Sequence, residues 1–438
     1  MTTSHTWFIR VLVGLALGVM AFYPDDARAA SVPVANCADS GPGSLRDAVA
    51  LAADGDTVDL SSIACLPINL TGGPIVVTQN NLEIGYFTPG SATIDAARNS
   101  RLILHTGSGL LRLFKINLFN GLHVAEFATG GCLHSEGDVE LVSSGVFDCE
   151  ALGQGGSNPM ALGGAVHARN VVLKYMLIYR NRASGGNGHG GAISSEGRMT
   201  LFRSTVGQGN SARSGGGLST MGGATLTYSA ILDNTATDNA GVEVLGGSVT
   251  VNKSTIAGNS AVRRCGGLCV KGSGRTSVLD STLSGNRARY LGAGELSDDA
   301  TISNSTITDN ADTSISECVG VIRARHLTLL STIVAANRCA AGTPVYDVGG
   351  RAWEGYTLTG SHNLIGRSRM RVPQDTISGD PGLRPLSNYG TGQLVHAPLP
   401  GSPVIDRGSN PLDRQYDQRG PGFPRVRGPS ADIGAIEY

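Results

Sequence analysis

The feature that most constrains this chain is a repeat of about 26 residues that runs through its middle. Each copy has a Gly pair followed by an aliphatic residue, most clearly in GGAV at 163–166 and GGAI at 190–193. The aliphatic residue defines a first column, with members Leu133, Val166, Ile193, Leu218, Val242, Leu268, Leu296 and Ile322. Self-similarity at a fixed short period is typical of a solenoid.

Two further columns of apolar residues follow the same period. The second column comes from segments such as STIAGN and STLSGN and contains Val146, Leu177, Val206, Ile231, Ile256, Leu283, Ile307 and Ile333. The third and looser column contains Leu141, Val172, Leu201, Leu226, Val251, Val278 and Ile302. Apolar residues alternate in steps of two, and the Gly pairs would interrupt a helix, so each repeat has three short β-type segments.

Stacked β coils place equivalent residues ~4.8 Å apart, so an inward column contacts itself above and below and must be apolar throughout. The first two columns are wholly aliphatic and meet that condition. Parallel β crossovers are almost always right-handed. The sequence therefore predicts an all-β fold, a right-handed parallel β-helix.

An Asn recurs three residues after the second column, at Asn234, Asn259, Asn286 and Asn310. Asn tolerates the left-handed backbone conformation that tight turns require. Stacked Asn amides are expected to hydrogen-bond along the column as an internal ladder. Four independent, solvated turns are the alternative.

Both ends of a β-helix need covering, because open strand edges recruit other strands. Residues 44–52 (SLRDAVALA) predict a capping helix, with Ser44 and Asp47 at capping-box spacing. After Asn337 the repeat fades and Pro, Gly and Arg become frequent. The predicted organisation is a signal peptide at 1–30, the β-helix with its N-terminal cap at 31–339 and an irregular C-terminal capping segment at 340–438.

The first thirty residues are typical of a secretory signal peptide. An apolar run, VLVGLALGVM, follows Arg10 and leads to small residues at 27–30 that suit cleavage before Ser31. The alternative is an uncleaved membrane anchor, but the run is shorter than the ~20 apolar residues of a spanning helix. Beyond it we expect no transmembrane segment, and the protein is predicted to be secreted or held in the cell envelope of a bacterium.

Eight cysteines fit an exported chain in an oxidising compartment. Pairs about one coil apart are expected to bridge, and the predicted disulfides are Cys37–Cys65, Cys318–Cys339 and Cys132–Cys149. The CGGLC segment at 265–269 has no second Cys pair and no nearby His to complete four zinc ligands. The sequence therefore predicts neither a metal ion nor a cofactor.

Charge excludes one class of partner. The chain has 34 Lys and Arg against 35 Asp and Glu, a formal net charge of −1. No global field attracts nucleic acid or an anionic membrane, so glycans are the expected partners. With both ends capped, a monomer is expected.

A catalytic cluster on a β-helix is expected at the outward positions beside the first column. The residues one step after that column are His134, His167, Ser194, Ser219, Glu243, Cys269, Ser297 and Arg323. The residues two steps further are Glu136, Arg169, Glu196, Met221, Leu245, Lys271, Asp299 and Arg325, which suggests a salt-bridge ladder. Glu243, His134 and His167 are the candidate catalytic residues, although the two histidines also fit an ordinary solvated surface.

The GGAI and STIxxN segments resemble the repeats of polymorphic outer membrane proteins and, more widely, the pectate-lyase-like β-helix superfamily. Five ordered motifs resemble the bacterial choice-of-anchor Q family: GPGSLRDAVALAADGDTVDL at 41, SHNLIG at 361, DPGLRPLSNYG at 380, HAPLPGSPVIDRG at 396 and DIGAIEY at 432. The resemblance implies an exported β-helix and carries over no catalytic residues.

Two functions remain from the sequence. The favoured one is an exported, non-catalytic scaffold that acts in surface adhesion or glycan contact. The alternative is a polysaccharide lyase or glycoside hydrolase with a divergent site on one face of the β-helix.

Overall fold

Four parallel sheets wind around one apolar core in the computed structural model, which describes residues 29–315, 318–340, 346–390 and 392–438. One coil shows the order. The chain passes through Asp138–Val142 in sheet 1, Gly145–Phe147 in sheet 2, Glu150–Gly153 and Met160–Leu162 in sheet 3, and Val166–Ala168 in sheet 4. It then re-enters sheet 1 one layer further along.

Within the described ranges, the strands of the four sheets have the following bounds. Sheet 1 contains Ser31–Pro33, Thr57–Asp59, Leu82–Gly85, Leu110–Phe114, Asp138–Val142, Val171–Lys174, Met199–Phe202, Ala224–Thr227, Val249–Asn252, Thr276–Leu279, Asp299–Ser303, His326–Leu330 and Thr357–Ser361. Sheet 2 contains Ile68–Asn69, Ala92–Asp95, Ile116–Phe119, Gly145–Phe147, Leu177–Tyr179, Thr205–Gly207, Ala230–Leu232, Thr255–Ala257, Thr282–Ser284, Thr306–Thr308, Ile333–Val334 and Leu364–Ile365. Sheet 3 contains Leu122–Ala125, Phe127–Thr129, Glu150–Gly153, Met160–Leu162, Arg182–Ser184, Asn187–His189, Ser211–Ser214, Thr235–Asp238, Ser260–Ala261, Arg287–Ala288, Ala311–Asp312 and Arg338–Cys339. Sheet 4 contains Ile75–Val77, Ile103–His105, Leu133–Ser135, Val166–Ala168, Ile193–Ser195, Leu218–Thr220, Val242–Val244, Leu268–Val270, Gly294–Glu295 and Ile322–Arg323. Outside these sheets lie an antiparallel pair, Ser387–Asn388 with Leu394–Val395, an α-helix, Leu45–Leu51, and a 3₁₀ turn, Ala352–Glu354.

The predicted class, an all-β parallel β-helix with a capping helix and a largely irregular C-terminal segment, is confirmed. Ile256 shows how the core stacks: it pairs with Ile231 on one side and Leu283 on the other, and it is fully buried. The inward column of sheet 2 is therefore a continuous apolar stack, which explains why its sequence stays aliphatic over so many coils.

Three column assignments were wrong by one residue. Near the end of sheet 2, Val334 rather than Ile333 pairs with Ile307 and continues the inward column. In sheet 2, Ile178 pairs with Val146 and Val206 in the core, whereas Leu177 is 47% exposed. In sheet 1, Leu173 rather than Val172 occupies the buried position. Side chains alternate across a strand, so a shift of one residue moves the whole strand to the opposite face.

Sheet 3 adds a fourth strand to each coil, whereas the sequence predicted three strands per coil. Its buried positions hold alanine, including Ala151, Ala183 and Ala212 in successive coils. Alanine gives a strand no aliphatic signature, so the apolar columns did not reveal it.

The Asn ladder is present and extends further than predicted. The Nδ2 atom of Asn259 donates to Asn286 Oδ1 at 2.9 Å, and Asn234 donates to Asn259 at the same distance. Asn was expected in these turns because it tolerates the left-handed backbone conformation. The asparagines of the ladder do not adopt that conformation. The preceding residue does so instead, as at Asp233 (φ 54°) and Gly258 (φ 68°), and this turns the buried Asn amide along the column.

The N-terminal helix closes the first coil as predicted. Ser44 Oγ accepts the amide of Asp47 at 3.2 Å, and the Asp47 carboxylate accepts the amide of Gly43 at 2.8 Å. Leu45, Ala48 and Val49 are buried against the core. At the other end, strands of sheets 1 and 2 continue past residue 339.

The C-terminal segment then runs along the outer side of sheet 2. Thr282 Oγ1 donates to Gln418 Oε1 at 2.6 Å, and the amide of Ala435 donates to Thr306 Oγ1 at 3.0 Å. The side chains of the terminal DIGAIEY motif are largely buried, and Glu437 pairs with the fully buried Arg425 at 2.7 Å. These contacts fix the segment against the coils.

The three predicted disulfides, Cys37–Cys65, Cys132–Cys149 and Cys318–Cys339, are formed. Cys265 and Cys269 are the free cysteines of the described residues, and both are buried. The same residues contain no helix with the length and apolar character needed to span a bilayer. The predicted signal peptide lies outside the described residues, apart from its last two positions.

Candidate functional site

The outward side chains of sheet 4 form one polar column, which contains the predicted site residues. In successive coils its members are Val76, Leu104, His134, His167, Ser194, Ser219, Glu243, Cys269, Glu295 and Arg323. The predicted order holds from His134 to Cys269. In the following coil the column residue is Glu295, not Ser297, because Gly294 pairs with both Leu268 and Ile322. Leu296 is accordingly outside the first column.

The Gly pairs of the repeat fold sheet 3 tightly against this column. At Gly163 (φ 65°) an added Cβ would lie 2.0 Å from the carbonyl oxygen of Val166. At Gly164 it would lie 2.1 Å from the carbonyl oxygen of Gly191 in the next coil. At these two positions only glycine fits, whereas in later coils Asn239 and Cys265 take the left-handed corner position. As a result, residues at the end of a sheet 3 strand reach the outward side chains of sheet 4 and bury several of them.

His134 and His167 stack in adjacent coils, with ring centroids 5.5 Å apart and planes 5° apart. They are not a solvated pair: His167 is 4% exposed. Burial, followed by repulsion from His167 and Arg101, lowers the pKa of His134 to about 3, and burial also lowers the pKa of His167. Both rings are therefore neutral near pH 7. Among the described residues, no third His, Cys or carboxylate lies close enough to share a metal ion with them.

Glu243 is 1% exposed and its carboxylate is surrounded by donors. Oε1 accepts Ser214 Oγ at 2.7 Å and Asn239 Nδ2 at 2.7 Å, and Oε2 accepts Ser219 Oγ at 3.0 Å. Two groups that can carry positive charge complete the shell: His189 Nδ1 lies 3.2 Å from Oε2, and Lys271 Nζ lies 3.3 Å from Oε1.

These partners determine the ionisation of Glu243. Burial alone would raise the pKa of Glu243, but hydrogen bonds from His189 and Ser214 and the charge of Lys271 outweigh it and lower that pKa to about 2. The carboxylate is ionised at neutral pH and all its neighbours are engaged with it. It serves as the anionic centre of a closed polar cluster.

Three partners of Glu243 were missed from the sequence: His189, Ser214 and Asn239. His189 lies in Asn187–His189, a strand of sheet 3 whose Gly-rich sequence gives no strand signal. His189 and Ser214 stack in adjacent coils and directly precede the corners at Gly190 and Gly215, whereas Asn239 occupies the next corner itself (φ 56°). A column drawn through the residue before each corner would have found His189 and Ser214.

The predicted salt-bridge ladder does not form between its own members. Arg169 pairs with Asp138 at 2.8 Å, Lys271 pairs with Glu243, and Glu196 lies 3.7 Å from His167. Most of these positions fall in the turn between sheets 4 and 1, where side chains point in different directions. Arg169 and Lys271 are instead neutralised by carboxylates of sheets 1 and 4.

A separate surface feature is a row of aromatic rings at the corner between sheets 1 and 2. We call Tyr175, Phe202 and Tyr228 the aromatic stripe; neighbouring rings are 5.6 and 6.4 Å apart and meet edge to face. The Arg203 guanidinium lies 5.7 and 5.5 Å from the Phe202 and Tyr228 rings. Tyr175 is 51% exposed, so the stripe offers apolar area and polar tips to solvent.

Comparisons with known proteins give one structural likeness. No family model matches the chain, and no curated protein matches it. A crystal structure of pectate lyase Pel9A is similar, with a TM-score of 0.45 and 13% sequence identity over 94% of this chain and 97% of that one. A likeness at this level says nothing about chemistry, and the fold rests on the strand register itself.

Proposed function

We propose that this protein is an exported, non-catalytic β-helix scaffold that contacts glycans with its long faces. The observation that supports this most strongly is the burial and ionisation of the candidate catalytic residues in the polar column of sheet 4. Its buried carboxylate is held by internal hydrogen bonds and its two imidazoles stack on each other. The pKa of Glu243, about 2, and that of His134, about 3, lie far from neutral pH.

Acid–base catalysis works best when a group's pKa lies near the working pH and the group can reach the substrate. Glu243 has a pKa of about 2 and is almost inaccessible, and His134 has a pKa of about 3. Glycoside cleavage generally needs two carboxyl groups on either side of one bond. Glu243 instead has Ser219 and Cys269 as column neighbours, which supports a structural role for this cluster.

The aromatic stripe supports glycan contact. Sugar rings carry apolar C–H faces and polar hydroxyls, and exposed aromatic rings with a polar edge suit both. Arg203 adds planar donors for hydroxyl or carboxylate oxygens. Because the stripe repeats with the coil spacing, it suits an extended chain rather than a single small molecule.

Retardation in native gels containing xylan or polygalacturonate tests this binding. We expect at least one polysaccharide to slow the wild-type protein, and Tyr175→Ser to weaken that binding several-fold, since an aromatic contact contributes roughly 0.5–1.5 kcal/mol. Leu177→Ser is the matched control, because Leu177 is similarly exposed at 47% on the next strand. Absence of retardation in every gel, or equal loss in both variants, would contradict the proposal.

Export is the second part of the proposal. Three formed disulfides agree with an oxidising compartment. We propose that residues 1–30 are a signal peptide, that 31–339 and 340–438 act as coil body and cap, and that the mature protein is a monomer of the choice-of-anchor Q family.

Non-reducing peptide mapping of protein from the native host checks the export proposal. We expect a mature N-terminus near Ser31, three disulfide-linked peptide pairs, and free thiols at Cys265 and Cys269. Recovery of intact Met1 in an envelope fraction would reject the signal peptide. Eight free thiols would reject passage through an oxidising compartment.

A further inference from the structure

The two cysteines without a disulfide lie beside a carboxylate from the next coil. Cys265 and Cys269 are 0% and 1% exposed, and Glu295 is only partly exposed. One ligand atom from each of the three residues lies within 4.8 Å of the other two. This cluster brings together two thiols and a carboxylate in a part of the polar column that the proposed function does not use.

The fold supplies the ligand that the CGGLC segment lacks. Stacking in sheet 4 pairs Cys269 with Glu295, 26 residues further along the chain. Cys265 stands at the sheet 3–sheet 4 corner with a left-handed backbone (φ 50°), directly before Gly266. The predicted absence of a metal considered only local spacing, and the neighbouring coil changes that conclusion.

We propose that Cys265, Cys269 and Glu295 bind one thiophilic divalent cation, with Zn²⁺ as the reference ion. Zn–S bonds are about 2.3 Å and Zn–O bonds about 2.0–2.2 Å, so two ligand atoms on one tetrahedral ion are about 3.6–3.8 Å apart. The ligand atoms of the cluster lie within 4.8 Å of one another, so metal binding draws them together by up to about 1 Å. Two sulfurs favour Zn²⁺ over hard cations such as Ca²⁺ or Mg²⁺.

Binding is balanced in charge and atoms. Each thiol gives up its proton as its sulfur binds the metal, so one Zn²⁺ replaces two H⁺ and the net charge of the cluster is unchanged. An ordinary thiol is mostly protonated at neutral pH, so both cysteines carry a proton before the metal enters. Arg264 and Arg323 stay paired with Glu295 and hold its carboxylate in position.

A cavity adjoins the cluster on its Glu295 side. Glu295 lines a cavity of about 170 Å³, whose other lining residues include Asp298, Arg325, Glu354 and Tyr356. Three protein ligands leave one position of a tetrahedral ion open. Water from this cavity fills that position.

Calorimetric titration of the mature, metal-free protein with ZnCl₂ tests the site, with its three disulfides left intact so that Cys265 and Cys269 are the free thiols. We expect one ion per chain and release of about two protons, measured in buffers of different ionisation enthalpy. Cys269→Ser should weaken binding more than 100-fold, and Glu295→Gln by 10–100-fold, the order seen when a contact of a metal site is lost. Glu354→Gln is the matched control: it removes a carboxylate from the same cavity without removing a ligand, and it should bind as wild type does.

X-ray absorption at the zinc edge of the loaded wild-type protein gives an answer that does not depend on a variant folding. The expected shell has two sulfur atoms at about 2.3 Å together with oxygen ligands. A shell without sulfur, no saturable binding, or unchanged affinity in Cys269→Ser would overturn the proposal. A Cys265–Cys269 disulfide in protein isolated from the native host would overturn it as well, because both sulfurs would be occupied.

Discussion

Replacing Ile256 with aspartate is expected to prevent folding. Ile256 is fully buried between Ile231 and Leu283 in the apolar stack of sheet 2. An aspartate there has no ionic partner, and burying an unpaired charge costs several kcal/mol even after relaxation. A folded domain has only about 5–15 kcal/mol of stability in total. The buried aspartate would also interrupt the apolar core that runs continuously from coil to coil.

Soluble yield and thermal melting by circular dichroism measure this effect. Val262→Asp is the matched control, because it changes a β-branched apolar residue to the same acid at a position that is 71% exposed. We expect the control to melt within a few degrees of wild type. A soluble Ile256→Asp protein with unchanged melting would show that the coil register is wrong.

Glu243→Gln is expected to lose about 3 kcal/mol of unfolding free energy at pH 7. The folded-state pKa of about 2 lies well below the ordinary 4.5 of a Glu carboxyl, and each unit of difference corresponds to about 1.4 kcal/mol. Because the folded pKa is depressed, this stabilisation is complete above pH 4.5 and is lost as pH falls toward 2. The variant should also leave Lys271 without its charged partner.

Urea unfolding of both proteins between pH 7 and pH 3 checks the sign. The difference between wild type and Glu243→Gln should shrink steadily below pH 4.5. Glu196→Gln is the control, because the Glu196 side chain is 66% exposed, and it should change stability by less than about 0.5 kcal/mol. If the stability difference between wild type and Glu243→Gln is constant across this pH range, the neighbours of Glu243 do not lower its pKa, and the account of this cluster is wrong.

The core was readable from the sequence because parallel stacking makes each inward column uniform. Ile256 could be placed from its neighbours in the repeat alone, and so could the order from His134 to Cys269. Where two adjacent residues are both apolar, as at Leu177 and Ile178, sequence does not decide which one faces inward. The tight corners and the register of the sheet decide it.

The candidate site was less accessible to sequence reasoning because its contacts cross coils and sheets. His189 reaches Glu243 over 54 residues of chain, and Glu295 meets Cys269 only when two coils stack. Neither contact follows from local spacing. The physical signal lay in the glycine corners, which bring the last residue of a sheet 3 strand against sheet 4.

The most direct test of the scaffold proposal is product formation from a panel of polysaccharides. Wild-type protein is incubated with polygalacturonate, alginate, chondroitin or xylan, with and without Ca²⁺, and unsaturated products and new reducing ends are measured. We predict no turnover above a heat-denatured control, and no difference between wild type, Glu243→Gln and His167→Ala. Robust product formation that disappears in either variant would contradict the proposal and would identify the polar column of sheet 4 as the active site of a polysaccharide lyase or glycoside hydrolase.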